Sequence, residues 1–357
     1  MRVGVDGRSL VGGGARGVAH YTGALLEALA AEFPDDEYRV LLPRGRAAVP
    51  RGVVPVRHPL PARVLFSAAP SGRPRFDRLV GPVDVVWAPA PAPLAVGSRP
   101  LVLTVHDRSW EQRPGDFTPY ERAWHAAARP RRLARRAARV LTDTEVGRKD
   151  LIHAWGLDAE RVRAVPLAPR RLPPRDAAPS RSSAGEAAPH AAAVPPFLFV
   201  GALEPRKAPD LLVGAFLRAR ARGLEAELVV VGEGRLDPQG PGVRRLGRVD
   251  DLGALYAGAL AVVLPSWLEG FGLPPVEGLA AGAPAIVSDL PVFREVLGDG
   301  ALYVPPGDAE ALADALLSLE RDPALRGRLL AAGQARIAAL TWAETARRTR
   351  AVLAEAA

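Results

Sequence analysis

The sequence contains no cysteine. Disulfides, cysteine-ligated zinc and thiol catalysis are therefore excluded. No run of about eighteen apolar residues is present, the length a helix needs to cross a bilayer. The N-terminus, MRVGVDGRSL, lacks the apolar segment of a signal peptide and reads as a first strand. A cytoplasmic protein is expected. H-E-x-x-H, G-x-S-x-G and Walker A patterns are missing, and no convincing D-x-D ends a strand. The six histidines are scattered. Neither a metal nor another cofactor is expected, so any anionic ligand must be met by arginine, lysine and helix ends. No recognisable nucleic-acid motif is present, and no nucleic-acid partner is expected.

Lysine is nearly missing too. Only Lys149 and Lys207 occur, and the other 45 of the 47 basic residues are arginine. The net charge is +8 and the pI about 10.5. Heavy Arg, Ala, Pro and Gly usage makes part of that charge compositional background. A phosphate-rich ligand or an anionic membrane surface would both suit it. The length of 357 residues allows two domains, and 48% hydrophobic residues allow each a sizeable core.

Strand and helix patterns alternate along the chain. Arg2 to Asp6, Tyr38 to Leu42, Val83 to Pro89 and Leu101 to Asp107 read as strands. The last two are nearly continuous apolar runs, as strands buried on both faces should be. Gly17 to Phe33 reads as an amphipathic helix, with Tyr21, Leu25, Leu26 and Leu29 on one face. A long helix is expected around Tyr120 to Ala138, then a short strand at Arg139 to Thr144 and a helix through Trp155. Residues 170–196, rich in Pro, Ala and Ser, have no hydrophobic period and read as a flexible linker. Alternation resumes at Phe197 to Gly201 and continues through Leu228 to Gly232, Ala259 to Pro265 and Ala283 to Ser288. Two helices precede a last one at Thr341 to Ala356. The expectation is an α/β fold of two Rossmann-like domains, 1–169 and 197–340, facing across a cleft, with a separate C-terminal helix at 341–357.

The candidate chemistry falls at expected strand ends. Glu269 to Glu277 reads E-G-F-G-L-P-P-V-E, between a buried apolar strand and a helix expected to start near Pro274 or Pro275. Gly270 and Gly272 free the backbone to approach a ligand, and the helix start offers unpaired N–H groups. Glu269 and Glu277 bracket the turn, one before the helix and one expected in its first turn. Carboxylates accept hydrogen bonds from hydroxyls, so a sugar or ribose suits them. Alternatively the segment is only a strand–turn–helix corner with a charged helix start. Gly201 to Leu212 places Arg206 and Lys207 where a helix is expected to begin, a site for a diphosphate or a solvated turn. Leu101 to Asp107 ends in His106 and Asp107. Such a pair can fix and aim an imidazole, or the histidine can simply cap the strand. Gly12, Gly13 and Gly14 lie in a glycine-rich loop that either cradles phosphate or is merely flexible. Arg131, Arg132, Arg135, Arg136 and Arg139 form a basic face over Pro130 to Val140, for acidic headgroups or for solvent.

In this order the motifs resemble the retaining GT-B glycosyltransferases of family 4. They are the Gly-rich first loop, H-D, E-P-R-K and E-G-F-G-L-P-x-x-E. The resemblance covers nearly the whole chain outside the linker. T-V-H-D with R-P-G-x-F, and T-D-T-E-V-G-R-K-D-L, are most similar to bacterial mannosyltransferases of O-antigen and exopolysaccharide assembly. The resemblance implies transfer of a hexose, mannose favoured, from a nucleotide diphosphate sugar to a glycan, lipid-linked or small-molecule hydroxyl, with retention. It implies that Arg206 and Lys207 neutralise the diphosphate and that Glu277 holds the ribose. Glu269 would hold the donated sugar, helped by backbone at Gly270, Phe271, Gly272 and Leu273. His106 would lie near the reacting centre with Asp107 beside it, and Gly12 to Gly14 near phosphates or acceptor. The final helix would cross back onto the N-terminal domain. Two positions depart from the family pattern. Ala208 stands where many relatives carry Asn, and Gly278 where many carry Ala. The alternatives are an epimerase or phosphorylase on the same fold, or a non-catalytic binding subunit.

Overall fold

The computed structural model describes residues 1–12, 17–170 and 194–357. Gly13, Gly14 and nearly all of the linker segment lie outside these residues. The chain divides into two compact units, Met1–Ala168 with Leu340–Ala357, and Pro169–Ala339.

The first unit is built on a seven-stranded parallel sheet, ordered β3-β2-β1-β4-β5-β6-β7. The strands are β1 Arg2–Asp6, β2 Glu37–Leu42, β3 Val54–Arg57, β4 Val85–Ala88, β5 Leu101–Thr104, β6 Arg139–Thr142 and β7 Val162–Ala164. Strands β4 and β5 are buried at every position, as their continuous apolar sequences require. Helix α1, Gly17–Glu32, buries Tyr21, Leu25, Leu26 and Leu29 as its periodicity predicts.

The helix expected around 120–138 is two helices, α2 Pro119–Ala128 and α3 Pro130–Arg136. Thr118 and Glu121 form a capping box at the start of α2. The break is at Arg129, in the left-handed region at φ 46°. Pro130 has no N–H to continue the ladder and disfavours helical backbone in the residue before it. Helix α4, Glu145–Trp155, follows β6 directly, with Thr144 as its N-cap.

The second unit carries a six-stranded parallel sheet, ordered β10-β9-β8-β11-β12-β13. Its strands are β8 Phe197–Val200, β9 Leu228–Val231, β10 Val243–Gly247, β11 Ala261–Leu264, β12 Ala285–Ser288 and β13 Ala301–Val304. Helices α5 Pro209–Ala221, α6 Leu273–Ala281, α7 Pro291–Leu297, α8 Ala309–Arg321 and α9 Pro323–Ile337 accompany it. Both sheets reverse strand order beside their first strand, between β1 and β4 and between β8 and β11. Crevices for ligands open at the carboxyl ends of strands flanking such a switch point.

The final helix, Trp342–Ala356, belongs to the first unit. Thr345 donates to the Pro166 carbonyl at 2.8 Å, and Arg350 reaches Asp36 at 3.0 Å. Trp342 packs its ring near Tyr21 and His20 of α1. The crossing back expected of this helix is therefore present.

Candidate functional site

In the second unit the segment after β11 meets the segment after β8. Trp267 N–H donates to the Arg206 carbonyl at 2.8 Å, which ties the two strand-end loops together across the switch point. Lys207 Nζ lies 2.5 Å from Glu269 Oε1, and Ser266 donates to the same oxygen at 2.7 Å. The pair is largely covered, with the Lys207 side chain 12% and that of Glu269 5% exposed. An ammonium in so little water interacts strongly with any anion beside it. Arg206 and Lys207 lie on the short turn Pro205–Lys207, not at a helix start. Helix α5 begins only at Pro209, after Ala208 enters the left-handed region at φ 52°. Asn tolerates such left-handed backbone better than Ala. Arg206 Nε also lies 3.3 Å from Glu204.

Helix α6 starts at Leu273, with Pro274 and Pro275 in its first turn and Gly272 as N-cap. Gly272 has φ 87°, and a Cβ there would lie 2.4 Å from a Phe293 ring carbon. The turn is thus closed to any other residue without rearrangement. Glu277 sits in the second turn of α6 rather than the first, because the helix starts one residue earlier than the prolines suggest. Its carboxylate is buried. Tyr256 O–H donates to Oε2 at 2.7 Å and Arg170 Nε donates to Oε1 at 3.1 Å. Burial and the neighbouring Glu277 push the Tyr256 phenol well above its ordinary range, so it stays a donor. Gly278 faces β11, and a Cβ would meet Val262 at 2.4 Å. Close packing of α6 on the sheet therefore accounts for glycine here. Phe271 is buried.

The first unit assembles its site from separate strand ends. His106 follows β5, Asp143 follows β6 and Pro89 follows β4. His106 Nδ1 lies 2.9 and 3.0 Å from the two oxygens of Asp143, and Nε2 lies 3.0 Å from the Pro89 carbonyl. The partner of the imidazole is therefore Asp143, not the adjacent Asp107. Asp107 accepts from the Ser109 N–H and hydroxyl instead, at 2.9 and 2.6 Å. Neighbouring residues on an extended chain point apart, whereas adjacent parallel strands bring their ends together. Tyr21 packs edge-on to His106 with ring centroids 4.6 Å apart. Burial works against the charged imidazole, and the Asp143 carboxylate outweighs it, so the His106 pKa is raised. Burial also pushes the Asp143 carboxyl up.

Gly12 has φ 101°, and no atom of the described residues lies within 4 Å of where a Cβ would stand. Arg139 lies on β6 and not on the basic helix. It pairs with Glu355 at 3.1 Å. Arg135 donates to the Trp155 carbonyl at 2.9 Å. The five-arginine face is therefore reduced to Arg131, Arg132 and Arg136, which are exposed. Among the described residues no helix is long and apolar enough to cross a membrane.

Comparison with known proteins now decides the family. A model described as "Glycosyltransferase Family 4" matches residues 15–168, and one described as "Glycosyl transferases group 1" matches residues 194–322. The chain is 32% identical over 342 residues to a phosphatidyl-myo-inositol mannosyltransferase of Mycobacterium leprae, covering 87% of this chain and 86% of that protein. The chain belongs to the family 4 glycosyltransferases. This glycosyltransferase is also 29% identical to O-antigen chain mannosyltransferase B of Escherichia coli, over 68% of its own length and 66% of the other. In fold it is similar to Anabaena Alr3699/HepE, solved with UDP and glucose, at a TM-score of 0.70 and 18% identity over 99% of both chains. The two parallel sheets and the returning C-terminal helix are those of a GT-B hexosyltransferase.

Sequence reasoning missed Ser266, Tyr256 and Arg170 in the second unit, and Asp143, Thr104 and Pro89 in the first. Asp143 carried a usable signal, a charged residue directly after an apolar strand. Tyr256 carried none, because its hydroxyl finds Glu277 only through packing.

Proposed function

We propose that this glycosyltransferase moves a mannose from GDP-mannose to an acceptor hydroxyl with retention at the anomeric carbon. The covered Lys207–Glu269 pair at the switch point carries the reading. In this proposal Lys207 and Arg206 hold the diphosphate and stabilise its charge as the glycosidic bond breaks. The backbone N–H groups of Gly270 to Leu273 assist them at the start of α6. Glu269 holds hydroxyls of the transferred sugar and Glu277 those of the ribose, with Tyr256 fixing the Glu277 carboxylate. His106 acts beside the transferred sugar, and Gly12 to Gly14 near phosphates or acceptor. No protein nucleophile is assigned. The acceptor attacks on the face the phosphate leaves, and the departing phosphate takes the proton. The mannosyltransferase names of the relatives support mannose. The covalent chemistry requires no bound metal or other cofactor.

The acceptor proposed is a lipid-linked or glycan hydroxyl, reached by a protein working at the cytoplasmic face of a membrane. Arg131, Arg132 and Arg136 supply positive charge for anionic headgroups.

The test is turnover of GDP-mannose by wild type and Lys207→Ala. A drop of at least tenfold, about 1.4 kcal/mol, with the melting temperature nearly unchanged, is expected. Equal turnover would remove Lys207 from the diphosphate site. Turnover of UDP-glucose but not GDP-mannose would keep the site and replace the donor.

A further inference from the structure

His106 has an unusual allotment of partners. The Pro89 carbonyl can only accept, so Nε2 must carry a proton. Nδ1 faces both oxygens of the buried Asp143. A neutral imidazole with Nδ1 bare would set its lone pair against a carboxylate. The geometry therefore places a proton between Nδ1 and Asp143 as well.

We propose that Asp143 is a positioning residue that holds His106 as a fixed two-proton cation, so that His106 serves the transfer as a fixed charge and never as a general base. The use in transfer rests on the reading that His106 acts beside the transferred sugar. The proton placement does not.

The surroundings support the assignment. Among the described residues, the carboxylates beside the ring attract a cation and the neighbouring phenol is neutral. Asp143 lies after β6 and Asp107 is the next residue along, and both attract it. Tyr21 of α1 presents its ring, and burial with the nearby Asp143 holds its phenol neutral far above the ordinary range. Tyr21 O–H lies 3.3 Å from Thr104 Oγ1, and Thr104 accepts from Trp87 Nε1 at 3.1 Å. This set of bonds leaves the imidazole one orientation. A cation so held needs no reorganisation when negative charge develops near it, which is how fixed donors lower a barrier. It also has no lone pair with which to take a proton from an acceptor.

Two variants separate charge from geometry. In Asp143→Asn the amide N–H₂ can donate to Nδ1, which keeps the Nε2–H tautomer and removes the charge. In Asp143→Ala neither is kept. The experiment is nitrogen NMR of isotope-labelled histidines across pH, with His106→Gln assigning the signal, together with GDP-mannose turnover. Wild-type His106 is expected to show imidazolium shifts on both nitrogens at pH 7.5, and Asp143→Asn a neutral ring with its proton on Nε2. Turnover by Asp143→Asn should fall at least tenfold through kcat with KM little changed, with a further fall in Asp143→Ala. A neutral His106 in the wild type, or full turnover by Asp143→Asn with a neutral ring, would overturn the proposal. If no GDP-mannose turnover is found in the wild type, the donor reading fails, while the nitrogen spectra still decide the proton. Melting curves identify a variant that is merely unfolded. Should Asp143→Asn unfold, the wild-type spectra alone still settle whether the cation exists.

Discussion

The two units hold their candidate sites by different means. In the second unit Arg206 and Lys207 are adjacent, Glu269 and Glu277 share one strand–turn–helix segment, and the two pieces meet at the switch point between β8 and β11. In the first unit His106, Asp143 and Pro89 come from the ends of three strands, with Tyr21 added from α1. A site written in contiguous sequence depends mostly on local backbone. A site assembled from several strand ends depends on sheet register. Substitutions in the second unit should therefore separate activity from stability, except where the backbone itself is strained. In the first unit the two should fall together.

The strained exception gives the largest expected effect. Gly272→Ala places a side chain in the left-handed region and drives Cβ against the Phe293 ring. The backbone term is about 1–2 kcal/mol and overpacking adds about 1–3. A total loss of about 2–5 kcal/mol is expected in urea unfolding, with donor turnover falling as well. Wild-type stability would mean that the loop before α6 relaxes freely and that Phe293 does not anchor it.

Thr104→Val tests the assembled site. It removes the acceptor of the buried Trp87 N–H and the partner of Tyr21. An unsatisfied buried donor costs about 1–3 kcal/mol. Stability and turnover should drop together. A variant that loses turnover alone would show that the first site is as separable as the second.

The attachment of the C-terminal helix gives a smaller, pH-dependent effect. Burial raises the Asp36 carboxyl, and Arg350 and the N-terminal ammonium, both hydrogen-bonded to it, together outweigh burial, so the pKa is lowered. A lowered carboxyl contributes stability above its unfolded pKa and loses it as pH falls through its folded pKa. Asp36→Asn should cost about 1 kcal/mol near neutrality, the upper end for an ion pair at a surface. As pH falls below about 4, the ordinary value of an aspartate carboxyl, and through its lowered folded value, the wild type should lose more melting temperature than the variant. Parallel acid curves would mean that Asp36 does not hold the helix.

The smallest effect has the opposite sign. Ala208 pays for a left-handed conformation beside Lys207. Ala208→Gly or Ala208→Asn should raise stability by about 0.5–1 kcal/mol, the backbone strain less the added freedom of the unfolded chain. Turnover should be unchanged. An unchanged melting temperature would show that the strain is relieved locally.

The strands legible in the sequence share a position. Every strand expected from apolar patterning lies inside a sheet. The unexpected ones, β3, β7, β10 and β13, are the four edges. Their sequences, VPVR, VRA, VRRLG and ALYV, are short or half polar. An edge is covered on fewer sides, so its residues need not be apolar, and short charged edges resist pairing with other chains. The long helix expected around 120–138 failed for a different reason. Its apolar spacing is helical on both sides of Arg129, and only the backbone demand of Pro130 divides it.

By itself the sequence determined two alternating parallel domains, a final helix, and the contiguous residues after β8 and β11. Buried strands need continuous apolar runs, and a ligand turn before a helix needs glycines and charges at fixed spacing. Tertiary structure alone decided that His106 pairs with Asp143, that Tyr256 and Arg170 hold Glu277, and that Arg139 belongs to a strand paired with Glu355. Those partners are separated by tens to hundreds of residues. Only sheet register and helix packing bring such groups within hydrogen-bond reach, and no local pattern records which ones will meet.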